Sequence, residues 1–192
     1  QNDPKTLVQG GAIGVLAKTK NPKYSPLFEK SLSSVSNSVK ANAIAGLAET
    51  SPEKVSSLLE KVDLENADES VMDKLLPIIV KNKIVSQMPN IAQTVAFYPF
   101  IAFQNPSLAQ PAEEGFNWIM DSDNIKAVEK LTGILKQVKA QIGDNPQAKM
   151  MIRDILKKGL DRKMKVFREN PSNQSLNSQV ELINKTVEAY NE

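Results

Sequence analysis

Neither histidine nor cysteine occurs anywhere in the 192 residues. Their absence excludes a His-bearing catalytic triad, a Cys nucleophile, a zinc site of the usual Cys/His type, a disulfide, and haem or iron–sulfur ligation by this chain. Arginine is nearly as scarce, with Arg153, Arg162 and Arg168 the only three among 24 basic residues. The guanidinium fork reads phosphates, carboxylates and base edges bidentately, so this shortage argues against an anion-reading surface. An excess of one charge is lacking too: the 24 Lys and Arg nearly balance 22 Asp and Glu, and the net +2 gives no strong field toward nucleic acid or an anionic membrane. No apolar run reaches the length of a membrane span, because Pro99 and polar residues such as Gln93, Thr94 and Gln104 break up the richest stretch. The N-terminus shows no charged segment leading into an apolar one, and Gln1 stands where an initiator Met would, as expected of a processed protein or a piece of a longer chain. A cysteine-free chain suits the cytosol and an oxidising compartment equally, so the sequence leaves localisation open.

What is present points to helices. With 41% hydrophobic and 24% charged residues the chain can bury a substantial core, as one domain or two small ones. Seven of the eleven prolines follow Asp, Asn or Ser: Asp3-Pro4, Asn21-Pro22, Ser25-Pro26, Ser51-Pro52, Asn105-Pro106, Asn145-Pro146 and Asn170-Pro171. Each pair predicts a helix start, since the polar side chain can accept from an orphan amide while Pro gives up an amide that had no partner. Glu53 adds a carboxylate in one such first turn, where the helix dipole favours it. Between these starts, apolar residues recur at three and four: Ile125, Val128, Leu131, Leu135, Val138 and Ile142, then Ile152, Ile155, Leu156, Leu160, Met164 and Phe167, then Leu176, Val180, Ile183, Val187 and Tyr190. Strict alternation bounded by turn residues is not found. The expectation is an all-α chain of about nine or ten helices of ordinary length.

An internal repeat sharpens the architecture. VQGGAIGVLA (Val8 to Ala17) and VKANAIAGLA (Val39 to Ala48) agree at five of ten positions at a constant offset of 31, and each is followed by a Pro-marked turn and a second apolar segment. One helical pair cannot bury its own apolar face, so successive pairs are expected to stack in a right-handed HEAT- or armadillo-like array. The reading is a single helical-repeat domain over 1–192, with two clear repeats in 1–64 and diverged repeats in 65–192. Gly10, Gly11, Ala12, Ala41 and Ala43 would let neighbouring helices approach closely, and no strand or Lys-Ser/Thr accompanies the glycines as a phosphate loop requires. The aromatic stretch Phe97, Tyr98, Phe100 and Phe103, with Phe116 and Trp118 behind it, reads as core in preference to a peptide groove.

The charged clusters read as structural. Asp63, Glu65, Asp68 and Glu69 lack the spacing of a calcium loop and read as helix capping and a solvated loop. Glu113, Glu114, Asp121 and Asp123 could supply paired carboxylates, yet nothing in their pattern selects them for acid–base work. Lys149, Arg153, Lys157, Lys158, Arg162, Lys163, Lys165 and Arg168 share one helix, and read as a solvated outer face with pairs such as Asp154–Lys158 and Asp161–Lys165 in preference to a nucleic-acid stripe. The Asn-x-Ser/Thr patterns at Asn173 and Asn184 carry little weight without a secretory signal. No catalytic, cofactor-binding or metal-binding residue is assigned.

AIGVLAKTKNPKYSPLFEKSL (Ala12 to Leu32), AIAGLAETSPEKVSSLLEKV (Ala43 to Val62) and the FYPF element (Phe97 to Phe100) together resemble the C-terminal HEAT-like helical domain of bacterial aminopeptidase N-type zinc metallopeptidases. The resemblance implies a parent enzyme that removes N-terminal residues from peptides, with zinc held by two His and a Glu and the Glu of H-E-x-x-H as general base. None of those motifs is in this chain. It implies for this piece a scaffolding role: packing on the catalytic domain of the same polypeptide, helping to enclose its cleft and limiting which peptides enter, in the cytoplasm or periplasm. The alternative is a free-standing helical-repeat scaffold that binds a protein or peptide on its concave face.

Overall fold

The computed structural model describes residues 4–60, 62, 64, 65 and 67–191, apart from the side chains of residues 4, 99, 102 and 103. Asp3, Asp63 and the Phe103 side chain therefore lie outside the described residues. All regular structure among the described residues is helical, and the chain divides into two compact units, Gln1–Gln87 and Met88–Glu192. The first holds α1 (Pro4–Lys18), a 3-10 turn (Pro22–Tyr24), α2 (Ser25–Ser31), α3 (Asn37–Thr50), α4 (Pro52–Leu59), α5 (Glu69–Asn82) and a second 3-10 turn (Val85–Gln87). The second holds α6 (Met88–Ala96), α7 (Tyr98–Gln104), α8 (Pro106–Asp121), α9 (Ile125–Ile142), α10 (Pro146–Glu169) and α11 (Gln174–Ala189). Nine of these helices have eight residues or more, while α2 and α7 have seven each.

Helices start as expected at Asn21-Pro22, Ser51-Pro52, Asn105-Pro106 and Asn145-Pro146, and the side-chain cap itself forms where Asn has an amide within reach. Asn21 Oδ1 accepts from the Lys23 amide at 3.1 Å, and Asn145 Oδ1 accepts from the amides of Gln147 and Ala148 at 3.1 Å each. At Asn105 the side chain accepts instead from the Ser107 hydroxyl at 2.6 Å. Ser25 is already the first residue of α2, whose N-cap is Tyr24, and its hydroxyl accepts from Ser51 Oγ at 3.3 Å. Asn170-Pro171 marks the end of α10 instead of a start: Asn170 is the C-cap, and α11 is opened three residues later by Asn173, whose Oδ1 accepts from the amides of Ser175 and Leu176. Pro171 supplies the stop because it cannot continue a helix.

In the first unit α3 is the hub, packing on α1, α2, α4 and α5. It buries Val39, Ala41, Ala43, Ile44 and Leu47, and one face receives the ring of Phe28 from α2, itself fully buried. The ring lies against Gly46, where an added Cβ would sit 2.6 Å from Phe28 Cε2. Helices α2 and α3 can come this close only because that position has no side chain. The polar ends are closed from within: Gln87 Nε2 donates to the carbonyls of Leu59 at 2.6 Å and Val62 at 2.8 Å, and α5 ends on Lys83 in the left-handed region, φ 52°, with the Ile84 amide reaching back to the Ile79 carbonyl.

In the second unit α9 buries Ala127, Val128, Leu131, Leu135 and Val138 and packs on α6 and α11, while α8 packs on α6, α7 and α10. The Tyr98 ring meets Phe116 with centroids 5.2 Å apart and a tilt of 49°. Phe116 is fully core, whereas Phe97, Tyr98 and Phe100 are half-buried. Tyr190, just past α11, donates its hydroxyl to the Leu135 carbonyl at 2.5 Å, which ties the end of the chain to the middle of α9. Burial pushes that phenol up to about 12, against a lowering influence of the Lys139 backbone. The folded form therefore holds its proton more tightly than the unfolded chain, so the stabilisation is complete below pH 10 and is lost as pH rises toward 12. Tyr190→Phe should cost about 1 kcal/mol at neutral pH, and in urea titrations the variant should lack the part of the alkaline loss that the wild type shows in that window. An identical alkaline profile in both proteins would refute the assignment.

Candidate functional site

The two repeat copies are α1 and α3, and they lie against each other. Along their seam runs a groove of about 620 Å³, floored by Gly10, Gly14, Ala45 and Asn42. Small residues make the groove, because no side chains rise from that side of α1 to fill it. Asn42 is its one buried polar group: its Nδ2 donates to the Gly10 carbonyl at 2.9 Å. A Cβ built on Gly14 would stand 3.2 Å from Asn42 Oδ1, so the amide lies closely across α1 and a side chain at that position would have to shift it. Lys20 Nζ bridges to Glu49 Oε2 at 2.8 Å at one end, and Lys18 and Lys74 add positive charge along the rim. Asn42→Ala should destabilise the first unit by about 1–2 kcal/mol, since the Gly10 carbonyl loses its buried donor. Thermal unfolding of the variant checks this; an unchanged midpoint would mean that water replaces the amide without cost.

The groove offers a side-chain amide, the Ser38 hydroxyl and apolar small residues, with the Glu49 carboxylate and the ammonium groups of Lys18, Lys20 and Lys74 along the rim. Among the described residues, no group of three or more His, Cys, Asp or Glu is placed to hold a metal ion, and no helix is long and apolar enough to cross a membrane.

The charged residues singled out in the sequence take structural positions. Asp68 caps α5, accepting from the Val71 amide at 2.9 Å and the Ser70 hydroxyl at 2.7 Å. The Ser70 hydrogen bond leads the influences that hold its carboxyl below the ordinary value. Glu114 accepts from Gln110 at 2.8 Å, one turn away on α8. Asp121, at the end of α8, takes both guanidinium contacts of Arg162 from α10. On the basic helix, Asp154 pairs with its neighbour Arg153 at 3.6 Å instead of with Lys158.

Lys163 departs most from the sequence reading. It is fully buried, not part of a solvated stripe. Its ammonium donates to the Ser122 carbonyl, to the Ile119 carbonyl at 3.5 Å and to Gln179 Oε1 at 2.8 Å. Gln179 Nε2 in turn donates to the Asp123 carbonyl at 2.9 Å, so side chains from α10 and α11 together satisfy the turn between α8 and α9. Burial pulls the amine down to about 8, opposed by the charges of Asp121 and Asp123. A lysine with a lowered pKa can serve as a nucleophile or base where substrate reaches it. This one is covered and fully hydrogen-bonded, so it works as a cap. Its position was available from spacing: Ile152, Leu156, Gly159 and Lys163 fall on the buried face of α10 at four, three and four residues.

No protein-family model, no curated protein and no solved structure matches the chain.

Proposed function

We propose that this chain is a non-catalytic HEAT-like scaffold, the C-terminal helical domain of a zinc aminopeptidase that removes N-terminal residues from peptides. In this reading it packs on the catalytic domain of the same polypeptide, helps to enclose the cleft and limits which peptides enter. The observation that carries the scaffold reading is the lateral packing of α1 on α3 and of α3 on α5, with α2 and α4 both seated on α3. Equivalent helices side by side, each followed by a second helix, are the elementary unit of a helical solenoid. The aminopeptidase part rests on the helical-pair and FYPF segments of the sequence. Zinc belongs to the parent's catalytic domain, since this chain has neither His nor Cys to bind it in the usual way.

The test is to sequence the gene upstream of the codon for Gln1 and to assay the purified chain on aminoacyl reporter substrates with and without added zinc. An upstream H-E-x-x-H with a downstream zinc-binding Glu, together with no turnover by the chain alone, is the expected pair of results. An upstream frame without that motif removes the aminopeptidase reading, and turnover that copurifies with the chain removes the non-catalytic one.

A second reading, a free-standing scaffold that binds a protein or peptide, is favoured by the glycine-floored groove between α1 and α3. Its backbone-accessible floor, with an amide at the centre and lysines on the rim, suits a segment with small or acidic side chains.

A further inference from the structure

Helix α1 carries an apolar stripe that is exposed among the described residues. Val8 is 73% exposed, Val15 64% and Leu7 58%, and Gly11 and Ala12 lie exposed between them. Spacings of three, one and three from Val8 to Gly11, Ala12 and Val15 put these residues on one helical face, opposite the face with Gly10, Ile13 and Ala17 that is buried. A water-facing stripe of this kind is not balanced by charge, since the segment from Leu7 to Ala17 contains no Asp, Glu, Lys or Arg at all.

The internal repeat says what such a face is for. At the offset of 31, Val8, Gly11, Ala12 and Val15 correspond to Val39, Asn42, Ala43 and Gly46 of α3, and all four of those are buried. What buries them is a helical pair. From α1, Gly10 comes down on Val39, with 3.7 Å from its built Cβ to Val39 Cγ2, and Gly10 and Gly14 straddle Asn42; from α2, Phe28 covers Gly46. The same four positions are thus an occupied interface in one copy and a bare one in the other.

We propose that the Val8–Val15 face of α1 is a docking surface for an amphipathic helix that carries two small residues four apart, packed on α1 as α1 packs on α3. The small residues matter because they set the distance: on α3, Gly10 stands against Val39 and Gly14 against Asn42, with room for little more than a methyl group. The occupant is apolar and uncharged over its contact face, because α1 offers no charged partner there. The surface stands on the repeat and its packing and does not depend on the aminopeptidase reading.

The probe is a synthetic peptide with the sequence of residues 4–18, PKTLVQGGAIGVLAK, which is the helix that covers the equivalent face of α3. Titrated into the isotope-labelled full chain, it should shift the amide resonances of Leu7, Val8, Gly11 and Val15 in a saturable way. The double variant Val8→Lys/Val15→Lys should bind at least tenfold more weakly; both positions are exposed, so its circular dichroism should match the wild type. The proposal is overturned by an absence of shifts at millimolar peptide, by equal binding to the variant, or by shifts centred on α3, which would mean exchange with α1. Concentration-dependent shifts of the same four residues without peptide would overturn it in favour of a second copy of the chain.

Discussion

Phe28→Ala should destabilise the first unit by about 3–5 kcal/mol, the loss expected when a fully buried aromatic ring leaves a cavity behind. The ring is wholly inaccessible and sits between α2 and α3 directly over Gly46. Helix α2 has only seven residues and buries little else, so it has few other apolar contacts with which to stay docked. Gly46→Ala probes the same contact from the other side. Alanine raises helix propensity, worth up to about 1 kcal/mol in isolation. Here that gain is outweighed, because a methyl 2.6 Å from the ring must displace Phe28, and overpacking of a filled core costs about 1–3 kcal/mol. The two effects are coupled. In the Phe28→Ala background the clash is gone and Gly46→Ala should become neutral or stabilising, giving an interaction energy of about 1–3 kcal/mol in a double-mutant cycle by urea denaturation. Additive effects would mean that Gly46 and Phe28 do not constrain each other.

Lys163→Met should cost about 2–4 kcal/mol at pH 7, because a shape-compatible apolar chain strips the donor from two backbone carbonyls and from Gln179 Oε1. Gln179→Leu on top of it should add less than it costs alone, since the two side chains serve one turn. A pH dependence separates this from simple loss of packing. The amine is near 8 in the fold and at its ordinary 10.5 when the chain is unfolded, so between those values the unfolded chain binds more protons. Unfolding free energy of the wild type therefore rises with pH in that window, and the burial penalty on the ammonium is fully present below pH 8. Measured against Lys163→Met, the wild type should gain about 1–2 kcal/mol between pH 7.5 and 9.5. A difference that stays flat over this range would show that the ammonium is not desolvated.

Helix class and several helix starts were legible because they depend on neighbours in sequence. Asp68 and the Asn21 and Asn145 pairs have their amide partners two or three residues away. The repeat was legible for the same reason, as five identities at one offset. Legibility failed where the partner is remote. Asn170-Pro171 has the same local grammar as Asn145-Pro146, yet the ten residues before it continue α10, so the proline stops a helix there. Lys163 read as one more charge in a basic helix because its acceptors are 41 and 44 residues earlier and 16 later. Of the groove, the glycines were visible in sequence, and their role in close packing holds for Gly10 and Gly14. Gly11 faces open space. The amide of Asn42 that crosses to Gly10 carries no local signal at all.

The turn between α8 and α9 has a history that its final geometry conceals. Its carbonyls at Ser122 and Asp123 leave the ribosome long before the side chains that satisfy them: 41 residues pass before Lys163 is made, and 56 separate Asp123 from Gln179. Through that interval both acceptors are left to water, and the turn is held by its local hydrogen bonds, from Ser122 Oγ to the Ile119 carbonyl and from the Asn124 amide to Ser122 Oγ. The turn therefore gains its last side-chain partner only when Gln179 of α11 has been made, so a ribosome stalled after α10 would display a nascent chain whose Asp123 carbonyl is still hydrated.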